Sequence, residues 1–167
     1  KKKYGDFNGW FGYTLSRTER KFNEINNGEY FPSKQDRKHD LSAVAIYKLN
    51  KRWTLSGTFV YSTGNAITFP SGKYELNGQT TFYYTERNGY RMPAYHRFDF
   101  GATLDGKPGK RLQSSWTFGL YNAYNRHNAY VIEFRDNPAD LSRTQAVQTA
   151  LFGIIPSVTW NFKILGK

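Results

Sequence analysis

Cysteine is absent from the 167 residues, which excludes disulfide staples, thiolate metal sites and a cysteine nucleophile. No apolar run approaches the roughly 20 residues of a membrane-spanning helix, so a helical membrane protein is excluded too. A barrel is not, because barrel strands hide their apolar residues in alternation. Histidine is scarce: His39, His96 and His127 are the only three. Asp36, His39 and Asp40 follow an i, i+3, i+4 spacing that groups ligands on a helix but splays them over both faces of a strand. Neither a metal site nor a cofactor is expected. No Ser stands beside a His in a convincing constellation, and Gly5, Gly9 and Gly12 lie at no strand-to-helix junction. Hydrolytic and phosphate-loop chemistry are therefore not expected, and the chain is read as a non-enzyme.

Aromatics are the surplus: 13 Tyr, 13 Phe and 4 Trp make 18% of the chain, although mean hydropathy is only -0.73. The net charge is +11 and the pI about 9.8. A nucleic-acid groove would gather that charge on one continuous face interleaved with exposed aromatics. Here most of it sits at the chain ends (Lys1, Lys2, Lys3, Lys163, Lys167) and in the segments 48–52 and 105–111. No nucleic-acid partner is expected. No apolar signal core follows the basic start, so a processed chain or a fragment is expected.

The closing stretch carries the clearest pattern. Val158, Trp160, Phe162 and Ile164 alternate with Ser157, Thr159, Asn161 and Lys163. A strand has a side-chain period of two, so one face is apolar and the other polar. Trp53 to Tyr61 repeats this, with Trp53, Leu55, Phe59 and Tyr61 against Thr54, Ser56 and Thr58. So do Tyr95 to Leu104 (Phe98, Phe100, Ala102 and Leu104 outward) and Ser115 to Tyr124 (Trp116, Phe118 and Leu120 outward). In 38–48 both alternating sets are partly apolar, so its own sequence does not fix its face. The expectation is an all-β, antiparallel meander of about six strands, near 7–20, 38–48, 53–62, 95–104, 115–124 and 147–164. Long loops span 21–37, 63–94 and 125–146, the middle one with a hairpin around Thr80 to Tyr84.

These connections alternate long and short, which is the parity of outer-membrane barrels: short periplasmic turns, long extracellular loops. A transmembrane β-barrel is expected, with the chain ends on the periplasmic side. Its lipid face would carry Trp53, Leu55, Phe59, Phe98, Phe100, Trp116, Phe118, Leu120, Val158, Trp160 and Phe162. Six strands cannot close a barrel, since the smallest have about 8. Left open, the sheet would put two edges of unpaired backbone groups into lipid. Residues 1–167 are thus expected to be one segment of a larger barrel domain, closed by strands outside this sequence.

Four stretches carry a family resemblance: Lys51 to Phe59, Arg91 to Gly101 (Arg-Met-Pro-Ala-Tyr-His-Arg-Phe-Asp-Phe-Gly), Ser115 to Asn128, and Phe152 to Phe162. In their order and spacing the chain resembles the carboxy-terminal barrel of TonB-dependent outer-membrane receptors of the Bacteroidetes type. The resemblance implies a barrel of about 22 strands that takes up a nutrient (a siderophore, a glycan or similar) past an amino-terminal plug. The plug domain is absent from this sequence. Implied partners are outer-membrane lipid and lipopolysaccharide, the remaining strands and plug, and TonB through the missing amino-terminal part. Glycan-importing members add a surface lipoprotein. Trp160 and Phe162 would be the terminal-strand assembly signal, although Lys163-Ile164-Leu165-Gly166-Lys167 runs on past the usual family end. Tyr74, Phe82, Tyr83, Tyr84, Arg87, Tyr90 and Arg91 are the ligand-contact candidates. Tyr stacks on flat rings, and Arg grips anions through two donors. The competing expectations are a structural or adhesive outer-membrane barrel without transport, and a soluble basic β-domain binding polysaccharide or nucleic acid.

Overall fold

The structure, a computed structural model, describes residues 2–107 and 112–164. Among them there is no α-helix, only a 3-10 turn at Asn26–Gly28. Seven strands form one antiparallel sheet in chain order. They are β1 (Lys2–Tyr4), β2 (Phe7–Leu15), β3 (His39–Lys48), β4 (Trp53–Ser62), β5 (Tyr95–Asp105), β6 (Leu112–Tyr121) and β7 (Ile155–Ile164). Connections 5–6, 49–52 and 106–111 are short, and connections 16–38, 63–94 and 122–154 are long. All short connections lie at one end of the sheet and all long ones at the other.

The register sorts the side chains into two faces. Trp53, Leu104, Trp116 and Trp160 occupy one row across β4 to β7. Two residues further from the short turns, Phe7, Tyr47, Leu55, Ala102, Phe118 and Val158 form the next row. At the long-loop end Tyr13, Leu41, Tyr61 and His96 line up in the same way. Every residue expected to face lipid therefore lies on one side of one sheet. Pairing also decides β3. Leu41, Ala43, Ala45 and Tyr47 join that apolar face, whereas Val44 and Ile46 sit opposite Trp10 and Asn8 on the other.

None of the described residues covers the apolar face. Phe100, Trp116, Phe118, Val158, Trp160 and Phe162 are all exposed, and Trp160 keeps 47% of its surface. The hydrophobic residues that are buried, Phe31 and Ala66, belong to the loops. The sheet is also open. β1 reaches only as far as Gly9, so β2 from Trp10 to Leu15 lacks a neighbour on that side, and β7 has none beyond β6 among the described residues.

Several boundaries differ from the sequence expectation, each for a local reason. The sheet has seven strands rather than six, because Gly5, at φ 55, turns Lys2–Tyr4 back onto Phe7–Gly9. The strand expected over 7–20 stops at Leu15. There Ser16 N–H bonds Lys38 O and Thr18 N–H turns to the Asp36 carboxylate at 2.5 Å, so Glu19–Arg20 pair instead with Phe31–Pro32. The strand expected over 115–124 runs Leu112–Tyr121 and ends where Asn122 adopts φ 53. Residues 147–149 are not part of the last strand, because Asp140–Thr149 pairs with Val131–Asn137 in a long hairpin. The middle loop carries its hairpin at Gly72–Leu76 and Gln79–Tyr83, earlier than expected. Asn77 (φ 54) and Gly78 (φ 76) make the tight turn, a pairing whose twist suits a two-residue hairpin.

Candidate ligand cleft between the outer loops

The long loops form one connected layer, and Asp36 is the centre of it. Only 2% exposed, it accepts the Thr18 N–H and a charge-assisted bond from Arg91. The Arg91 guanidinium also donates to Asp36 O at 3.1 Å and Gly64 O at 3.2 Å, which ties the first long loop to both ends of the second. Burial works against ionisation of Asp36, but the Arg91 hydrogen bond, the Thr18 N–H and the charges of Arg91 and Arg17 outweigh it. Its carboxyl is held below its ordinary value. Gly64 must be glycine here, since a Cβ would lie 1.8 Å from Met92 O.

Further bonds close the seam. The Asn26 amide takes both backbone groups of Arg87, accepting its N–H at 2.7 Å and donating to its carbonyl at 3.0 Å. Asn88 donates to Pro32 O at 2.9 Å, and Arg37 to Asn65 at 3.0 Å. The second and third loops meet where Lys73 and Thr80 both donate to Asp136, at 2.7 and 2.9 Å. Those two bonds hold the Asp136 carboxyl below its ordinary value. Phe69 packs edge-on to Phe134 and stacks on Tyr90, each at 4.8 Å.

Between the first two loops this bonding leaves a cleft of about 970 Å³, within the size range of small-ligand sites. Arg20, Lys34 and Arg87 bring positive charge, Phe22 and Tyr84 bring rings, and Glu24 and Glu86 bring carboxylates. The three cations make no ion pair among the described residues. Such a lining fits a ligand with a flat face and an anionic group: the rings stack, Arg grips the anion, and the carboxylates accept hydroxyls.

The sequence candidates do not form one constellation. Tyr84 and Arg87 line this cleft. Arg91 is committed to Asp36, and Tyr90 to Phe69 and its pairing with Ile67. Tyr83 lies over Gly72, Phe82 is paired with Lys73, and Tyr74 is half exposed on the hairpin. The first loop's contribution (Arg20, Phe22, Lys34) has no motif, because loop-to-loop hydrogen bonds such as those of Asn26 with Arg87 and Asn88 with Pro32 bring it to the second loop.

On the polar face, Arg97 donates to Asp99, Tyr95 and Tyr121 at 2.7–3.0 Å and lies 4.1 Å from the Tyr121 ring centroid. Asp99 in turn accepts the N–H of Asn122 at 2.9 Å. Asn122, 1% exposed, donates to Arg126 O and accepts its N–H, anchoring the third loop. Arg97 and Asp99 thus pair with each other on this face. Among the described residues no group of three His, Asp or Glu gathers to hold a metal ion. No family model, curated protein or solved structure matches the chain.

Proposed function

We propose that this chain is the lipid-embedded carboxy-terminal portion of a TonB-dependent outer-membrane receptor barrel, with its long loops outside and its short turns in the periplasm. One observation carries the reading: a seven-stranded sheet whose apolar face is covered by none of the described residues. Soluble domains bury such a face against a second layer. This one instead bounds it with two aromatic rows. Trp53 and Tyr61 lie on the same face of β4, at its short-turn and long-loop ends. Their separation is about 27 Å of strand at ~3.4 Å per residue, or about 20 Å once tilted by ~40°, close to the ~25 Å apolar band of outer-membrane barrels. The polar face, with Arg97, Asp99 and Tyr121, would line the barrel interior. The open edges at β2 and β7 would pair with strands of the same receptor, as lipid requires.

The cleft between the first two loops would then be an outward-facing contact for the nutrient, with Arg20, Lys34, Tyr84 and Arg87 as its grips. Two experiments test the assignment. Cell fractionation should place the full-length protein in the outer membrane, migrating faster on gels before heating than after; a monomer that stays soluble without detergent contradicts it. A reading frame encoding a plug domain upstream of Lys1 supports transport, and its absence leaves a barrel without that role.

A further inference from the structure

We infer that the short-turn rim of the sheet binds the headgroups of anionic phospholipids. The inference rests on the membrane reading above and adds a lipid partner to it. The two ends of the sheet carry different charge. The three long connections hold 12 Lys and Arg against 9 Asp and Glu, whereas the three short ones hold 5 against 1. The ion pairs follow the same division. All six among the described residues lie in the long connections or at the loop end of strands β3 and β5. At the short-turn end Lys51, Arg52 and Lys107 are exposed and form no ion pair among the described residues. Arg52 donates to the backbone oxygen of Asp105 at 2.9 Å rather than to its carboxylate.

These cations sit beside the tryptophan row. Trp53 follows Arg52 directly, and Trp116 and Trp160 stand in register with it across Leu104. Indoles settle at the depth of lipid headgroups. Lys51, Arg52 and Lys107 therefore project at or just beyond that depth, where phosphates lie. Positive charge there attracts anionic lipid over about a Debye length and is screened by salt. The long-loop end has aromatics too, but its near-balanced charge gives no such preference.

Quenching of tryptophan fluorescence by brominated lipids tests this in the full-length protein reconstituted in mixed vesicles. Brominated phosphatidylglycerol should compete at least about threefold better than brominated phosphatidylcholine at low salt. That preference should fall towards unity in 0.5 M salt (roughly a 4 Å screening length) and in the variant K51Q/R52Q/K107Q. A control with the same loss of charge at the loop end, R20Q/K34Q/R87Q, should keep it. Equal quenching by both lipids in the wild type, or an equal loss in the control, overturns the rim while leaving the barrel reading intact. Quenching by neither lipid overturns both.

Discussion

Trp116 and Trp160 face each other across β6 and β7 with their ring centroids 5.8 Å apart, both nearly half exposed. In water such a pair would be left without a cover on the outermost strand of an open sheet. In lipid the same pair becomes the end of an aromatic row whose surroundings supply the missing layer.

The faces of β6 should tolerate charge unequally. Phe118→Arg places a guanidinium on the apolar face, one row inward of the tryptophans, and should cost about 1–3 kcal/mol, between the interfacial and mid-membrane values. Thr117→Arg, one residue away on the polar face, should cost under about 1 kcal/mol. Urea titrations in detergent or lipid, read by heat-modifiable migration, compare the two. Equal losses would mean that the faces are wrongly assigned.

Two arginines of the second loop should behave in opposite ways. The Arg91 side chain holds buried Asp36, so Arg91→Ala leaves a carboxylate without its partner. A fully buried pair would cost 3–5 kcal/mol to break. Arg91 is one-third exposed, so the expected loss is about 2 kcal/mol, with faster proteolysis of the first loop. Arg87 is fixed through its backbone alone, so Arg87→Ala should stay within about 0.5 kcal/mol of wild type. Its effect should appear in ligand affinity.

Acid should loosen the loop layer. Asp36 and Asp136 both have depressed values, so each contributes stability that is fully present above the ordinary carboxylate value of 3.8. That contribution is lost as pH falls through the lower folded values. Protection of loop amides from hydrogen exchange should thus persist from pH 7 to about 4 and decline below it, with the strands unaffected. For the second-to-third-loop contact, Lys73→Met should reduce the effect at Asp136, with Thr80 keeping a share of it.

Gly64→Ala should be the most damaging single-methyl addition in the loops, because the new Cβ meets backbone at Met92 and Pro93 rather than a movable side chain. A loss of about 1–3 kcal/mol is expected for such overpacking. Gly5→Ala, with open space around its Cβ, pays only for its φ of 55.

How far the sequence carried the fold can be seen residue by residue. Val158-Trp160-Phe162 and Trp53-Leu55-Phe59 announced their strands because alternation is local. β1 was missed because three residues starting Lys2-Lys3 carry no alternation to read. The early end of β2 was hidden because the acceptors that divert its backbone, the Asp36 carboxylate and the Lys38 carbonyl, lie about twenty residues on. Asn77-Gly78, by contrast, was a legible hairpin signal that places the turn two residues before Thr80. The cleft was half legible: Tyr84 and Arg87 stand out in an aromatic-rich loop, but Arg20 and Lys34 come to them only through hydrogen bonds between loops far apart in sequence.

The central claim is that β7 presents Val158, Trp160 and Phe162 to lipid and Ser157, Thr159 and Asn161 to water. These 167 residues hold no cysteine, so once any cysteine elsewhere in the full-length protein is replaced, single cysteines at residues 157 to 162 can each carry one nitroxide label in that protein reconstituted in vesicles. Collision rates with oxygen, which partitions into lipid, and with a water-soluble nickel chelate then report each position. The account predicts alternation with a period of two, with oxygen favoured at 158, 160 and 162 and the chelate at 157, 159 and 161. Chelate access at all six positions would contradict it.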